Sequence, residues 1–303
     1  MINKTVKFLK KNSICEDIKL NDYIIEAIDT LESAYEIVNS ISLENSESLK
    51  DKAVWSIVYD IYTRSYKYTE ATLSLFIIAH IASAESLCRT SVESSINLCY
   101  LSVGNDVENI ISYFKYHIKT ERLQNKKWRE SVNNSSESEE YKINHINLID
   151  NKEKSLDSYE KMLRESFSII DIDYDATNSN WPSIFDRFKK VNMEIKYRTL
   201  YAALCSQSHN DAEDSLNNLM ARIVQIEGIE IEKGVEAEKY IFSLEMVLSC
   251  IQLWIEAAIM FLAKYEIKMS NELFDVWKRA STNIMTLNKN KPEFINNAMK
   301  YKA

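Results

Sequence analysis

Apolar residues recur along this chain at steps of three and four, the spacing that lines one face of an α-helix. Leu20, Ile24, Ala27, Ile28, Leu31, Ala34 and Ile37 carry that spacing in a helix predicted over 19–42, after a shorter one over 2–12. Ser46, Glu47 and Ser48 read as a turn into a helix over 48–66, with Trp55, Val58, Ile61 and Tyr62 as its apolar face. A long helix follows over 69–101. Its first half, Leu73 to Ala84, is apolar nearly all round, which predicts burial on most sides. Gly104 and Asn105 are suited to end it, and Asp106 to cap a further helix over 106–129.

The pattern then changes. The stretch from Ser131 to Glu140 is polar and has no apolar face, so it is expected to be a mobile loop. A charged helix over 141–168 and an acidic loop from Asp171 to Asn180, ended by Trp181 and Pro182, complete a polar insertion over 131–180. Helices are predicted over 183–191, 194–207 and 211–226, and a loop carries Gly228 and Gly234. A long helix over 235–266 has Ile241, Leu244, Val247, Leu248, Ile251, Trp254 and Ile255 in its stripe. A last helix over 270–286 is expected to fray into a basic tail around Lys289 and Lys291. The fold class read from this is all-α: a multi-helix bundle with a buried long central helix, residues 1–303 forming one domain with the insertion.

Composition sharpens the picture. The chain has 303 residues with 3 Gly and 2 Pro, against roughly 20 and 15 at average usage. Sheet proteins need those residues for tight turns, so an all-β fold is excluded. Gly104, Gly228 and Gly234 lack the spacing of a phosphate-binding loop. The formal charge of −8 disfavours broad nonspecific nucleic-acid binding, which depends on cations at the phosphates. Five scattered cysteines without a C-x-x-C pair read as reduced thiols of a cytoplasmic protein. The first residues do not form a secretory signal. Met246 to Ala263 approaches the length of a membrane span, but Gln252 and Glu256 lie near its middle. A mid-bilayer acid costs about 2.5 kcal/mol or more, so a core helix is expected and no membrane.

Candidate chemistry lies first on the 69–101 helix, where Glu85, Arg89, Glu93 and Asn97 follow one another at steps of four. A buried Arg with a carboxylate one turn to either side must be paired. This is either a structural network or a site. His209, in the run Cys205-Ser206-Gln207-Ser208-His209-Asn210-Asp211, sits between two helical stretches. Its pKa range suits acid–base work, while the bland reading has Asn210 or Asp211 capping the next helix. Tyr113, His117 and Glu121 share a helix face, His80 lies on the buried helix and His145 beside the polar loop, solvated. No E-x-x-H or H-E-x-x-H occurs, so no metal and no cofactor is expected. Two basic runs, Lys126-Lys127-Trp128-Arg129 and Arg187-Phe188-Lys189-Lys190, have the aromatic–basic pairing of nucleic-acid surfaces and equally that of plain solvated faces.

The segment from Leu87 to Leu101 fits L-x-R-[ST]-x-x-E-x-x-x-N-L-x-Y-L, and Tyr197-Arg198-Thr199-Leu200-Tyr201 is followed by Ser206-Gln207-Ser208-His209. In these motifs, over roughly 70–225, the chain resembles the "domain of unknown function 5677" family. The resemblance implies that Arg89, Glu93 and His209 meet in one polar centre. It also implies a distant similarity to HEPN domains, which include toxin and antiviral ribonucleases with an R-x(4–6)-H motif. This chain departs from that motif: Arg198 lies eleven positions before His209, and no Arg precedes a His by five to seven. Arg89 would have to serve from another helix.

Two functions follow as expectations. The first is an intracellular helical protein of defence or toxin type that binds a protein partner or ligand through the polar centre. Arg89, Glu93 and His209 form the centre, with Glu85, Asn97, Tyr113, His117, Lys127 and Arg129 as contacts. The second is a metal-independent ribonuclease in which His209 is the acid or base and Arg89 stabilises phosphoryl charge, with RNA as the partner. Wide apolar helix faces also suit a homodimer.

Overall fold

A computed structural model describes residues 2–15, 20–44, 55–178, 180–208, 216, 219–220, 222–224, 230–267 and 271–299. The turn expected at Ser46 to Ser48, His209 and most of the 211–226 helix lie outside the described residues. Every regular element among the described residues is helical. In chain order these are α1 (Ile2–Lys11), α2 (Asp22–Glu44), α3 (Trp55–Ile77), α4 (Ile81–Leu101), α5 (Asp106–Asn133), α6 (Glu139–Ser168), α7 (Ile184–Lys190) and α8 (Glu194–Lys196). A π-helical turn (Tyr197–Tyr201), α9 (Ala202–Ser208), α10 (Ile231–Lys264) and α11 (Asn271–Met299) follow. The chain divides into two compact units. One is Met1–Val103 with Ile184–Ala303, the other Gly104–Ser183.

The first unit is built around α10, which packs against α2, α3, α4 and α11. The central helix is α10, which contains the core helix expected over Met246 to Ala263; the predicted 69–101 helix is instead the end of α3 and the whole of α4. The chain reverses at Ile78 to His80, where Ala79 adopts φ +61°, and α3 and α4 run antiparallel, with Thr69 2.6 Å from Ser91 through their hydroxyls. Ile78, Ala79, His80, Ala82 and Ser83 are consequently exposed, correcting the expectation of all-round burial over 73–84. The apolar run straddles a turn, so that Tyr62, Tyr66 and Leu73 on one side of it and Cys88, Val92 and Ile96 on the other are all buried.

Polar contacts set the register of α10. Ser243 donates to Glu85, the Cys88 thiol to the Met246 carbonyl at 3.4 Å, and the Cys250 thiol to Ser91 at 3.0 Å. The constant offset means that α4 and α10 run parallel. Against α11 the order is reversed. Gln252 donates to Ser281 at 2.7 Å, Trp277 to Glu256 at 3.0 Å and Asn288 to Glu245 at 3.1 Å. Trp254 is fully buried against Tyr62 and Tyr66, ring centroids 5.7 and 5.4 Å away. α10 is long and apolar enough to cross a membrane, and 67% of its most apolar stretch is buried in the fold.

The tail expected to fray is helical to Met299. Leu287 is buried, Asn290 donates to the Tyr23 hydroxyl at 2.9 Å, and Phe294 meets the Tyr23 ring edge-on at 6.2 Å. These contacts hold the helix through Pro292, whose ring removes one backbone donor.

The second unit is a helical hairpin of α5 and α6. Asn105, one residue before the expected Asp106, caps α5 by accepting from the Glu108 N–H at 3.3 Å. Ser138 caps α6. The polar stretch over 131–140 is half absorbed into these helices, leaving 134–138 as the turn between them. Across the hairpin Arg122 binds Asp157 and Glu160 at 2.8 and 2.9 Å, and Lys152 binds Glu121. In the loop that follows, the Asp173 carboxylate accepts from the N–H groups of Asp175 and Ala176, and Lys115 donates to the Thr177 carbonyl at 2.8 Å.

A left-handed conformation at a residue other than Gly costs about 1–2 kcal/mol, and glycine's extra freedom in the unfolded chain returns part of that. Ala79→Gly is therefore expected to stabilise the protein by about 0.5–1 kcal/mol, measured by urea denaturation; a loss of stability contradicts the strained turn.

Candidate functional site

Each step of four residues advances about 40° around an α-helix, so Glu85 and Asn97 point about 120° apart. The predicted ladder accordingly splits. Glu85 is buried and faces α10, where it accepts from Ser243. Asn97 is half-buried, with its side-chain carbonyl oxygen buried and making no hydrogen bond. Arg89 and Glu93, between them, are half-buried and meet the segment from α7 to α9.

That segment contains the π-helical turn. The Ala202 N–H reaches back five residues to the Tyr197 carbonyl, a register found often at functional sites. Tyr197 and Tyr201 stack at 5.6 Å, and Phe188 packs its ring against both. Tyr201 is thereby held under Arg89, whose guanidinium lies 5.7 Å from the ring centre. The Tyr201 hydroxyl is 3.5 Å from the Glu93 carboxylate. The other Glu93 oxygen lies 3.8 Å from Arg187. Arg198 lies over the rings of Phe185 and Tyr197, at 5.0 and 5.4 Å.

The charges are unevenly exposed. The Arg187 side chain is 7% exposed and the Glu93 side chain 42%. The expected basic run at Arg187 to Lys190 is thus corrected: Arg187 and Phe188 are buried, and only Lys189 and Lys190 face solvent. The hydrogen bond that Arg89 donates to Tyr201, together with the nearby Cys205 and Glu93, raises the Arg89 pKa. Burial raises the Tyr201 pKa, with Glu93 adding to it and the Arg89 bond opposing. Two guanidinium groups, Arg89 and Arg187, thus lie beside one half-open carboxylate, with the exposed Arg198 on the rings of the same segment, an arrangement suited to holding an anionic group.

The other expected contacts belong to the second unit. Tyr113 packs on Trp181 at 5.1 Å, and Arg129 binds Asp150 at 2.6 Å. Lys127 is exposed. His117, also exposed, lines an apolar cavity of about 390 Å³ with Phe114, Ile118, Tyr159 and Met162. His145 is not solvated as expected. It is half-buried between Trp128 and Tyr141, with its Nδ1 buried and making no hydrogen bond. His80 is exposed in the α3–α4 turn. Among the described residues no group of three or more His, Cys, Asp and Glu side chains is placed to hold a metal ion.

Arg187 is the centre residue that reading the sequence missed. The signal was there: Ile184, Arg187, Phe188 and Val191 follow the same three- and four-residue steps as a buried stripe.

The sequence model of a family of unknown function (DUF5677) matches residues 56–222, just over half of the chain, and the chain belongs to that family. The matched span holds Arg89, Glu93, Arg187 and the π-helical turn together with the whole second unit. No curated protein and no solved structure matches the chain.

The unequal exposure of the Glu93–Arg187 pair gives a test. Removing the carboxylate takes a counter-charge from a buried cation, whereas removing the cation leaves a carboxylate that water can reach. Glu93→Gln is expected to lower stability by about 1–2 kcal/mol more than Arg187→Met in urea denaturation; the reverse order contradicts the burial asymmetry.

Proposed function

We propose that this protein acts by binding a partner or ligand through the centre around Arg89 and Glu93, and that the group it grips is anionic. The observation that carries this reading is that Arg89 and Arg187 lie beside the half-open Glu93 carboxylate, against a π-helical turn that carries Arg198, in a chain of net charge −8. Arg89 is the guanidinium at the mouth that closes on the anion, and Glu93 with Tyr201 orients it. Glu85 takes no part, because it is turned to Ser243.

A second observation favours the ribonuclease reading. α9 packs on α4, its Cys205 acts on the charge of Arg89, and the chain continues from Ser208 directly to His209. In that reading His209 moves the proton of the attacking 2′-hydroxyl and Arg89 stabilises charge on the phosphorus oxygens. This HEPN-like activity belongs with a role in defence or toxin systems.

Thermal melting of the full chain with inorganic phosphate, nucleoside monophosphates and a short RNA separates these outcomes. A rise in Tm with at least one of these, absent in Arg89→Gln, is expected; no rise with any of them overturns the anion-binding reading. RNA cleavage that survives chelator and disappears in both Arg89→Ala and His209→Ala replaces binding with catalysis.

A further inference from the structure

We propose that one face of the α5–α6 hairpin is a dimerisation surface, and that its occupant is the same face of a second copy of this chain. This inference is independent of the anion-binding centre.

The face is a second seam beside the one that joins the two helices. On α5, Phe114, His117, Glu121, Gln124 and Trp128 alternate at three and four residues. On α6, Tyr141, His145, Leu148, Lys152, Ser155 and Tyr159 do the same and lead to Met162. This is the spacing by which helices pack on helices. Three contacts place both rows on one side of the hairpin. Trp128 meets His145 near the tip, Glu121 binds Lys152 in the middle, and Phe114 and His117 share the cavity with Tyr159 and Met162 toward the base. Tyr141, Leu148, Tyr159 and Met162 are 43–55% exposed, an apolar row left open among the described residues.

A second copy fits this face on three counts. Its only fixed charges, Glu121 and Lys152, bind each other, so two molecules of net charge −8 meet here without like-charge repulsion. The area suffices: from Tyr141 to Met162 the face is about 32 Å long at the helical rise, and two helices span about 20 Å. That footprint is about 640 Å² per copy, about 1,300 Å² in total, at the lower end of the range for a stable interface. The shape is self-complementary under a two-fold axis perpendicular to the helices, which brings tip to base. Tyr141 and Leu148 project near the tip, and the cavity of about 390 Å³ lies toward the base. The Glu121–Lys152 pair falls near the axis, where each Lys152 also meets the Glu121 of the other copy.

Light scattering coupled to gel filtration at tens of micromolar protein reads the mass of the full chain. A mass near twice 35.3 kDa is expected for the wild type, and near 35.3 kDa for Ser155→Lys and Leu148→Lys at unchanged helicity by circular dichroism. Tyr116→Lys, about 110° round α5 from the row, is expected to stay dimeric. A monomeric wild type, a dimer that persists in both seam variants, or loss of the dimer in Tyr116→Lys overturns the proposal. Hydrogen–deuterium exchange of the wild type at high and low concentration checks the same face without substitution. Concentration-dependent protection over 114–128 and 141–162 supports it, and protection confined to other segments overturns it.

Discussion

An apolar helix of 34 residues sits inside a bundle at least cost when the polar groups it carries find partners there, as most on α10 do; the buried Trp254 indole N–H makes no hydrogen bond. A buried donor or acceptor left unmet costs about 1–3 kcal/mol. On α10 the groups are Ser243, Cys250, Gln252 and Glu256, and their partners are Glu85 and Ser91 on α4, Ser281 and Trp277 on α11 and Lys196 on α8. Hydrophobic burial is nondirectional and would tolerate a helix that slides along its axis. These contacts do not, since a shift of one turn breaks them all together. The register of the first unit rests on this requirement.

The same requirement positions both halves of the polar centre. Holding Glu85 against Ser243 fixes the rotation of α4, and the drift of steps of four then carries Arg89 and Glu93 round to a different side. Lys196, bound to Glu256, is the last residue before the π-helical turn. α10 therefore anchors the turn through one ion pair and α4 through another contact, although it lends no residue to the centre. The extra residue in the turn lets Tyr201 meet Arg89 and Glu93 while Tyr197 stays stacked on it.

The periodicity of apolar residues made the all-helical class and most helices legible, because helices this long repeat their stripe several times. It failed where the physical signal is carried elsewhere. The reversal at Ile78-Ala79-His80 has no Gly, Pro or Asn, and an alanine takes the left-handed conformation that usually identifies such turns. The polar tail after Leu287 looks unstructured by composition, but its order comes from Tyr23, distant in sequence. Arg89 and Glu93 stood out as charges on a helix expected to be buried. Arg187 did not, because charge is read as exposure unless the apolar stripe around it is examined first. The carboxylate expected to flank Arg89 on the other side, Glu85, answers to α10 instead.

For the proposed anion binding the centre is in part preorganised: Arg187 is already out of water and Tyr201 is held by ring packing. Association is penalised chiefly by freezing mobile groups and by desolvating polar ones, and here the fold has done part of both in advance. Catalysis asks more of the same place. It needs a proton acceptor within hydrogen-bond reach of the substrate, and the described groups nearest Arg89 are a phenol whose pKa is raised and a carboxylate shared between Tyr201 and Arg187. Deprotonating the phenol works against its burial, and using the carboxylate as a base withdraws it from the buried arginine. The proposed nuclease reading therefore draws its base from His209, outside the described residues, whereas the proposed binding uses described groups already in place around Arg89 and Glu93.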